Sequence, residues 1–205
     1  MLLGLPEELE REYEDLLEKL DVLVLGSFEG PRILELRALM ELLKGMRVRK
    51  VKTLKLEENG ISEEEGMVIP SWRSKGLEGS LEKLSNALMP YYVEGERSFL
   101  LWFQGYHPMG GVPDIMISFD TSISFDGKTL SFSLPAWRLS RKGRLWKAEG
   151  LFWFPDVVIE VKRGKVKARS YKARKRILVN LEGKAREEWT GIPIKELRYI
   201  NIKKL

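Results

Sequence analysis

The sequence predicts an α/β (α+β) fold: a mixed central β-sheet flanked by helices, with a small βαβ-like unit ahead of it. Three observations predict it. Helical periodicity alternates with short apolar strands along the chain. Two hairpin signals interrupt the second half. Charge also divides the chain, since residues 1–65 hold 10 Lys+Arg against 16 Asp+Glu, a net of −6, while residues 66–205 hold 25 against 14, a net of +11. The expected organisation is an acidic N-terminal domain over 1–65 and a basic domain over 66–205.

Pro6 followed by "EELEREYEDLLEKL" reads as a helix, with proline at the first turn, acids near the positive end of the dipole and Leu9, Tyr13, Leu16, Leu17 and Leu20 at helical spacing. "DVLVLG" is a short strand, and "PRILELRALMELLKG" is a helix opening on Pro31 and closing on Gly45. "MRVRKVKTLKL" alternates apolar and basic residues as an exposed strand does. The turn "LGSFEGP" sits where phosphates are bound in other strand–helix units, but it lacks both G-x-G-x-x-G and G-x-x-x-x-G-K-[ST], and Glu29 would repel a phosphate. It reads as a plain strand-to-helix turn. Residues 57–79 mix acids, glycines and a proline, and mark the expected boundary.

Ser80 caps the helix "LEKLSNALM" before Pro90. "RSFLLWFQGY" is a buried strand, "HPMGGVP" a loop and "DIMISFD" another strand. "SISFDGKTLSFSL" is a hairpin turning at Asp126 and Gly127, and "AWRLSRKGRLWKAEGLFWF" a second one around "SRKG". "FPDVVIEVKRG" is the best strand of all, "KARSYKARKRILVNL" a basic helix running into a strand near Ile177, and "ELRYINIKKL" a closing strand.

Composition excludes several chemistries. The 205 residues contain no cysteine, which removes thiol catalysis, zinc–thiolate sites and disulfides. The lone histidine, His107, removes histidine-rich metal sites, so any metal must sit on carboxylates, which favours magnesium or manganese. The N-terminus turns acidic at once, unlike a signal peptide, and no apolar run approaches the ~18 residues of a membrane helix, so no membrane partner and a cytoplasmic location are expected. Charged residues make up 32% of the chain while glutamine occurs once, a balance typical of hyperthermophiles.

In "FPDVVIEVKRG", Val157, Ile159 and Val161 point one way, whereas Asp156, Glu160 and Lys162 point the other. Such side chains are almost never buried unless paired. "GGVPDIMI" places Asp114 at the mouth of another apolar strand. If the two strands are neighbours, Asp114 and Glu160 offer two carboxylates to one hard divalent cation, and the backbone carbonyl of Val161 offers a further oxygen. Lys162 lies ~7 Å along the strand from Glu160, placed to position a nucleophilic water or to stabilise charge on phosphorus. This set suits metal-assisted hydrolysis of a phosphodiester. Asp156 shares the face but stands ~13 Å from Glu160, too far for the same ion, and reads as a strand-start or outer-shell residue.

Pro113, Asp114, Glu160, Val161 and Lys162 together resemble the PD-(D/E)XK nuclease superfamily, which includes restriction endonucleases and archaeal Holliday-junction resolvases. The resemblance covers residues 80–205 and implies a restriction endonuclease-like core of helix, three strands, helix and strand, here with inserted hairpins. It further implies Mg2+ or Mn2+ held by Asp114 and Glu160, and Lys162 as the catalytic lysine. Some members add a glutamate from the first core helix, for which Glu82 is the candidate. Many act as dimers, so a homodimer is a partner to test for.

From Lys162 to Arg176, nine of fifteen residues are Lys or Arg, and no acid occurs between Glu160 and Glu182. Such a run tracks a phosphate backbone, and Arg163, Lys165, Lys167, Arg169, Tyr171, Lys172 and Arg174 are the expected nucleic-acid contacts. The tryptophans at 137, 146 and 153 could stack on bases, but large aromatics in hairpins more often pack. His107 reads as a structural loop histidine. The function these residues point to is a metal-dependent nuclease acting on DNA. The alternatives are a non-catalytic nucleic-acid-binding protein on the same fold and, more distantly, a nucleotide- or partner-binding module in the N-terminal domain.

Overall fold

A computed structural model describes residues 5–26, 29–70, 76–132, 134–151, 154–162, 171–180 and 190–199. In chain order the elements are α1 (Glu7–Lys19), β1 (Val22–Val24), α2 (Pro31–Gly45), β2 (Lys50–Glu57), β3 (Gly60–Glu65), β4 (Met67–Ile69), β5 (Glu78–Gly79), α3 (Leu81–Leu88), β6 (Tyr91–Glu94), β7 (Phe99–Phe103), β8 (Ile115–Ser118), β9 (Ser124–Phe125), β10 (Thr129–Phe132), β11 (Leu134–Lys142), β12 (Leu145–Gly150), β13 (Val157–Lys162), β14 (Lys175–Asn180), β15 (Thr190–Ile192) and a 3₁₀ turn (Ile194–Tyr199).

Eight strands form one mixed sheet in the order β15-β14-β13-β8-β7-β6-β2-β3. β13, β14 and β15 run parallel, and the remaining neighbours are antiparallel. The mixed sheet with flanking helices is the α/β class expected from the sequence. Each central strand is buried on both faces, which is why β7 reads as the unbroken apolar run "FLLWF". Phe99, Leu101 and Phe103 point into a core shared with α1 and α2, whereas Leu100 and Trp102 point into a second core shared with α3. Each such side chain contributes roughly 1.5–3 kcal/mol of burial.

The expected break between residues 65 and 66 is not followed by the sheet. β2 hydrogen-bonds β6 on one side and β3 on the other, and a single core cluster runs from Leu9 to Leu197. The reason lies in "KVKTLKLE", where Val51 packs into one core and Leu54 and Leu56 into the other, so this strand has two apolar faces to cover. The segment read as a linker contains β3, β4 and β5. Its turn, Glu58-Asn59 followed by Gly60, closes a two-residue hairpin.

The two hairpins between β8 and β13 join β5 in a separate sheet, ordered β5-β12-β11-β10-β9, that covers the second core. Asp126 Oδ1 accepts the amides of Lys128 and Thr129 at 2.8 and 2.7 Å, fixing the first turn, and Gly143 takes φ +63° at the second. Trp137 and Trp146 are buried in this layer, so packing and not base stacking accounts for them; Trp153 lies outside the described residues. Two further expectations are corrected. Residues 171–174, the described part of the expected basic helix before β14, are not helical, and residues 196–199 of the expected closing strand belong to the 3₁₀ turn; residues 167–170 and 200–205 lie outside the described residues. In that turn Arg198 donates two hydrogen bonds of 2.6 Å to the buried carboxylate of Glu41, which also accepts from the Tyr13 hydroxyl at 2.6 Å. No helix among the described residues is long and apolar enough to cross a membrane.

Candidate active site

The site lies where β7 ends, β8 begins and β13 ends. β8 and β13 are antiparallel with Ile115 opposite Ile159, and one further step of that register sets Asp114 opposite Glu160. Both carboxylates face the second core, on the same side as Met116 and Val158. Apolar material therefore surrounds them, and Asp114 and Glu160 are buried at 7% and 3% exposure. Asp114 Oδ2 accepts the backbone N–H of Val161 at 2.6 Å. The Lys162 ammonium lies 2.6 Å from Glu160 Oε2 and 3.4 Å from Asp114 Oδ2.

Electrostatics follows from this burial. The Glu160 carboxyl is pushed up to about 7, first by loss of water and then by the charge of Asp114, against the pull of Lys162. Burial also raises Asp114, with Lys162 and the Val161 amide opposing. Burial alone would lower Lys162, but the two carboxylates raise it above the ordinary lysine value, so it stays an ammonium at neutral pH. Of the three side chains Lys162 is the most open to solvent, at 31% exposure.

A third carboxylate joins from α2. The Nε2 amide of Gln104 donates to Glu35 Oε2, while the Gln104 backbone N–H donates to the carbonyl oxygen of Asp114 at 2.7 Å. Gln104 manages both from a left-handed backbone, φ +55°, uncommon outside glycine and characteristic of constrained sites. Glu35 is pushed up to about 7 by burial and then by the charge of Asp114, with Lys162 among the groups that lower it. The helix glutamate found electrostatically coupled to Asp114 is Glu35 on α2. Glu82 is exposed in the first turn of α3, a helix that packs against β2, β12 and β5. Glu35 was legible in principle, since it stands on the helical face of Leu39 and Leu42, where an acid demands a reason.

The remaining expected residues separate into three groups. Arg163, Lys165, Lys167 and Arg169 lie outside the described residues. Lys172 and Arg174 are exposed, Lys172 with its ammonium 5.5 Å from the Phe154 ring centroid and Arg174 paired with Asp156 at 3.3 Å. Tyr171 is buried, its ring 5.6 Å from that of His107, which corrects its expected place on the nucleic-acid surface. Asp156 sits at the opposite end of β13, where its Oδ2 accepts the Phe119 amide at 2.8 Å; it is a strand-start residue.

Among the described residues no group of three His, Cys, Asp or Glu side chains is arranged to enclose a metal. The donor chemistry nevertheless suits a hard divalent cation. Two buried carboxylates stand together, a third adds its charge, and the Lys162 ammonium opposes them. Magnesium in particular keeps several waters and asks for only one or two carboxylates.

A scan against protein-family models, a search of curated proteins and a search of solved structures each found no match to this chain.

Proposed function

We propose that this chain is a metal-dependent nuclease that hydrolyses DNA phosphodiester bonds, with Asp114 and Glu160 as protein ligands to Mg2+ or Mn2+ and Lys162 as the catalytic cation. One observation carries the reading: two buried carboxylates on adjoining strands share one partly exposed ammonium at the mouth of a two-sided core. Stability alone gives no reason for it, because apolar residues of similar volume would fill the site at least as well.

The bound cation would lower the pKa of a coordinated water and draw a phosphate oxygen toward the site. Asp114 would be held in place by the Val161 amide, and the Val161 carbonyl would offer a further oxygen. Lys162, already protonated, would supply positive charge where negative charge builds on the phosphoryl oxygens, and does not act as a base. Glu35, oriented by Gln104, adds negative charge that favours a cation over an empty site. Lys172, Arg174 and the basic residues 163–169 are proposed to follow the DNA backbone.

The test is incubation with labelled duplex, single-stranded and branched DNA and with RNA, in magnesium, manganese or chelator. Cutting that needs the metal and is lost in Lys162→Ala supports the proposal. Metal-independent DNA binding with no cutting of any substrate favours the non-catalytic alternative.

A further inference from the structure

Two hairpins of this chain carry many charges and arrange them in opposite ways. On the β2–β3 hairpin each lysine of β2 is matched by a glutamate of β3, Lys50 by Glu65 at 2.8 Å, Lys52 by Glu63 at 2.7 Å and Lys55 by Glu64. The β11–β12 hairpin holds Arg138, Arg141, Lys142, Arg144 and Lys147, all exposed, with no acid between residues 138 and 147. Arg141 is committed to the fold. Its Nε donates to the Gly143 carbonyl at 2.9 Å, its Nη1 lies 2.9 Å from Glu58 Oε1, and its guanidinium carbon stands 5.5 Å from the Trp146 ring centroid. Arg138 is opposite Glu149 and Lys147 is opposite Glu78, yet among the described residues neither pair closes to ion-pair distance. Lys142 is opposite Leu145, and Arg144 stands in the turn. A surface that is lysine-rich merely for solubility does not explain this contrast; cations left outside ion pairs keep their field available to a polyanion.

The sheet topology fixes where the ribbon tip stands. From β8 outward, β7, β6 and β2 alternate in direction, so the end of β2 lies at the same end of the large sheet as the start of β8, where Asp114 is. Glu58 is in the turn that follows β2, and its pair with Arg141 therefore anchors the ribbon tip at the carboxylate end. In the sheet β2 is three strand spacings from β8, which is ~14 Å. Duplex DNA takes about 34–36 Å per turn, so one duplex crossing this end of the sheet would meet the carboxylates and the ribbon within roughly half a turn. A two-stranded ribbon is also, with the α-helix, an element that the major groove of B-form DNA admits.

We propose that the β11–β12 ribbon is a second DNA-contact surface, in which Lys142, Arg144 and Lys147 lie on the phosphate backbone of the duplex that is presented to Asp114 and Glu160. This rests on the reading of DNA as the substrate, and it goes beyond that reading by assigning contacts to a different layer of the fold from residues 163–174.

The test is binding of the full chain to a labelled DNA duplex, followed by fluorescence anisotropy in chelator over a series of salt concentrations, so that neither metal nor cutting enters. The triple variant Lys142→Gln, Arg144→Gln, Lys147→Gln is expected to bind about tenfold or more weakly near physiological salt, with its log–log salt slope shallower by about 2–3 and its melting temperature unchanged. The triple variant Arg11→Gln, Lys19→Gln, Arg47→Gln removes the same net charge from exposed positions on the other side of the large sheet, where α1 and α2 pack. It is expected to bind within about threefold of the parent, because charges beyond ~8–10 Å are screened at that salt. Affinity of the ribbon variant within about threefold of the parent, or an equal fall in the charge-matched variant, overturns the ribbon assignment and leaves the nuclease reading in place. A parent chain that binds no duplex even at low salt overturns both.

Discussion

The backbone amide of Val161 donates to Asp114 Oδ2 across 2.6 Å, so the loop strand and the glutamate strand are pinned together at the point where their carboxylates meet. A main-chain donor cannot be removed by changing a side chain. This link therefore does not depend on which side chain stands at 161, and substitutions of neighbouring side chains test function with it in place.

Lys162→Ala is the first such test. The variant is expected to fold, to retain DNA binding through the basic segment, and to lose cutting by about 10²–10³-fold or more, as for removal of one group that stabilises transition-state charge. Turnover and electrophoretic mobility shift, measured on the same preparation, check both halves of the expectation.

Glu35 and Glu160 are both pushed up to about 7 from an ordinary value of 4.5. Between these values the folded chain retains protons that the unfolded chain has released. Their contribution to stability is thus fully present below about pH 4.5 and is lost as pH rises through 7. A cation competes with those protons, so thermal stabilisation by Mn2+ should be larger at pH 8 than at pH 6. Differential scanning calorimetry at the two pH values, with Mn2+ and with chelator, checks the sign.

Glu35→Gln separates stability from function. At pH 8 it removes a buried charge repelled by Asp114, and a gain on the order of 1 kcal/mol is expected, ~2–4 °C in melting temperature for a chain of this size. At pH 5, where Glu35 is already protonated, the gain should vanish. Metal-dependent cutting should fall in the same variant.

Arg198→Ala strands the Glu41 carboxylate, 1% exposed, with only the Tyr13 hydroxyl remaining. The arginine holds that carboxyl below the ordinary glutamate range even though burial pushes it up. A loss on the order of 2 kcal/mol is expected at neutral pH. Chemical denaturation should show it recovering in part when Glu41→Gln is added, because no buried charge is then left unpaired.

A fragment of residues 66–205 should not fold on its own, since it lacks α1, α2, β2 and β3 and would leave one face of the eight-stranded sheet bare. Loss of the near-ultraviolet circular dichroism and binding of a hydrophobic dye would show this; a cooperative unfolding transition in the fragment would contradict it.

That last expectation marks where the sequence was legible and where it was not. α2 and the Ser80-capped α3 stand where periodicity and capping put them, as do both hairpins, because each is specified by residues within one or two turns of each other. Asp114 and Glu160 were also readable as a pair, since two strong strands with acids at matching ends have few ways to lie together. The contrast in charge between the two halves misled the division into domains, because surface charge says little about which strands share a core. Glu35 lies on the acidic side of that boundary, so a division by charge separates it from Asp114 although the fold brings the two within electrostatic reach. Asn59-Gly60, a strong local hairpin signal, would have put β2 and β3 inside the sheet. Tyr171 and His107 could not have been joined from the sequence, being 64 positions apart and meeting through their rings.

The clasp between Glu41 and Arg198 spans 157 positions. During synthesis the first helices leave the ribosome long before Arg198 does, and at the usual pace of translation, ~5–20 residues per second, the delay is of order ten to thirty seconds. Throughout that interval Glu41 has no partner from the chain's end, and β13, which brings Glu160 and Lys162, arrives only in the last quarter of the chain. A nascent chain of this design acquires both its candidate cutting residues and the seal on its first core in its last quarter, so a product truncated before β13 carries neither.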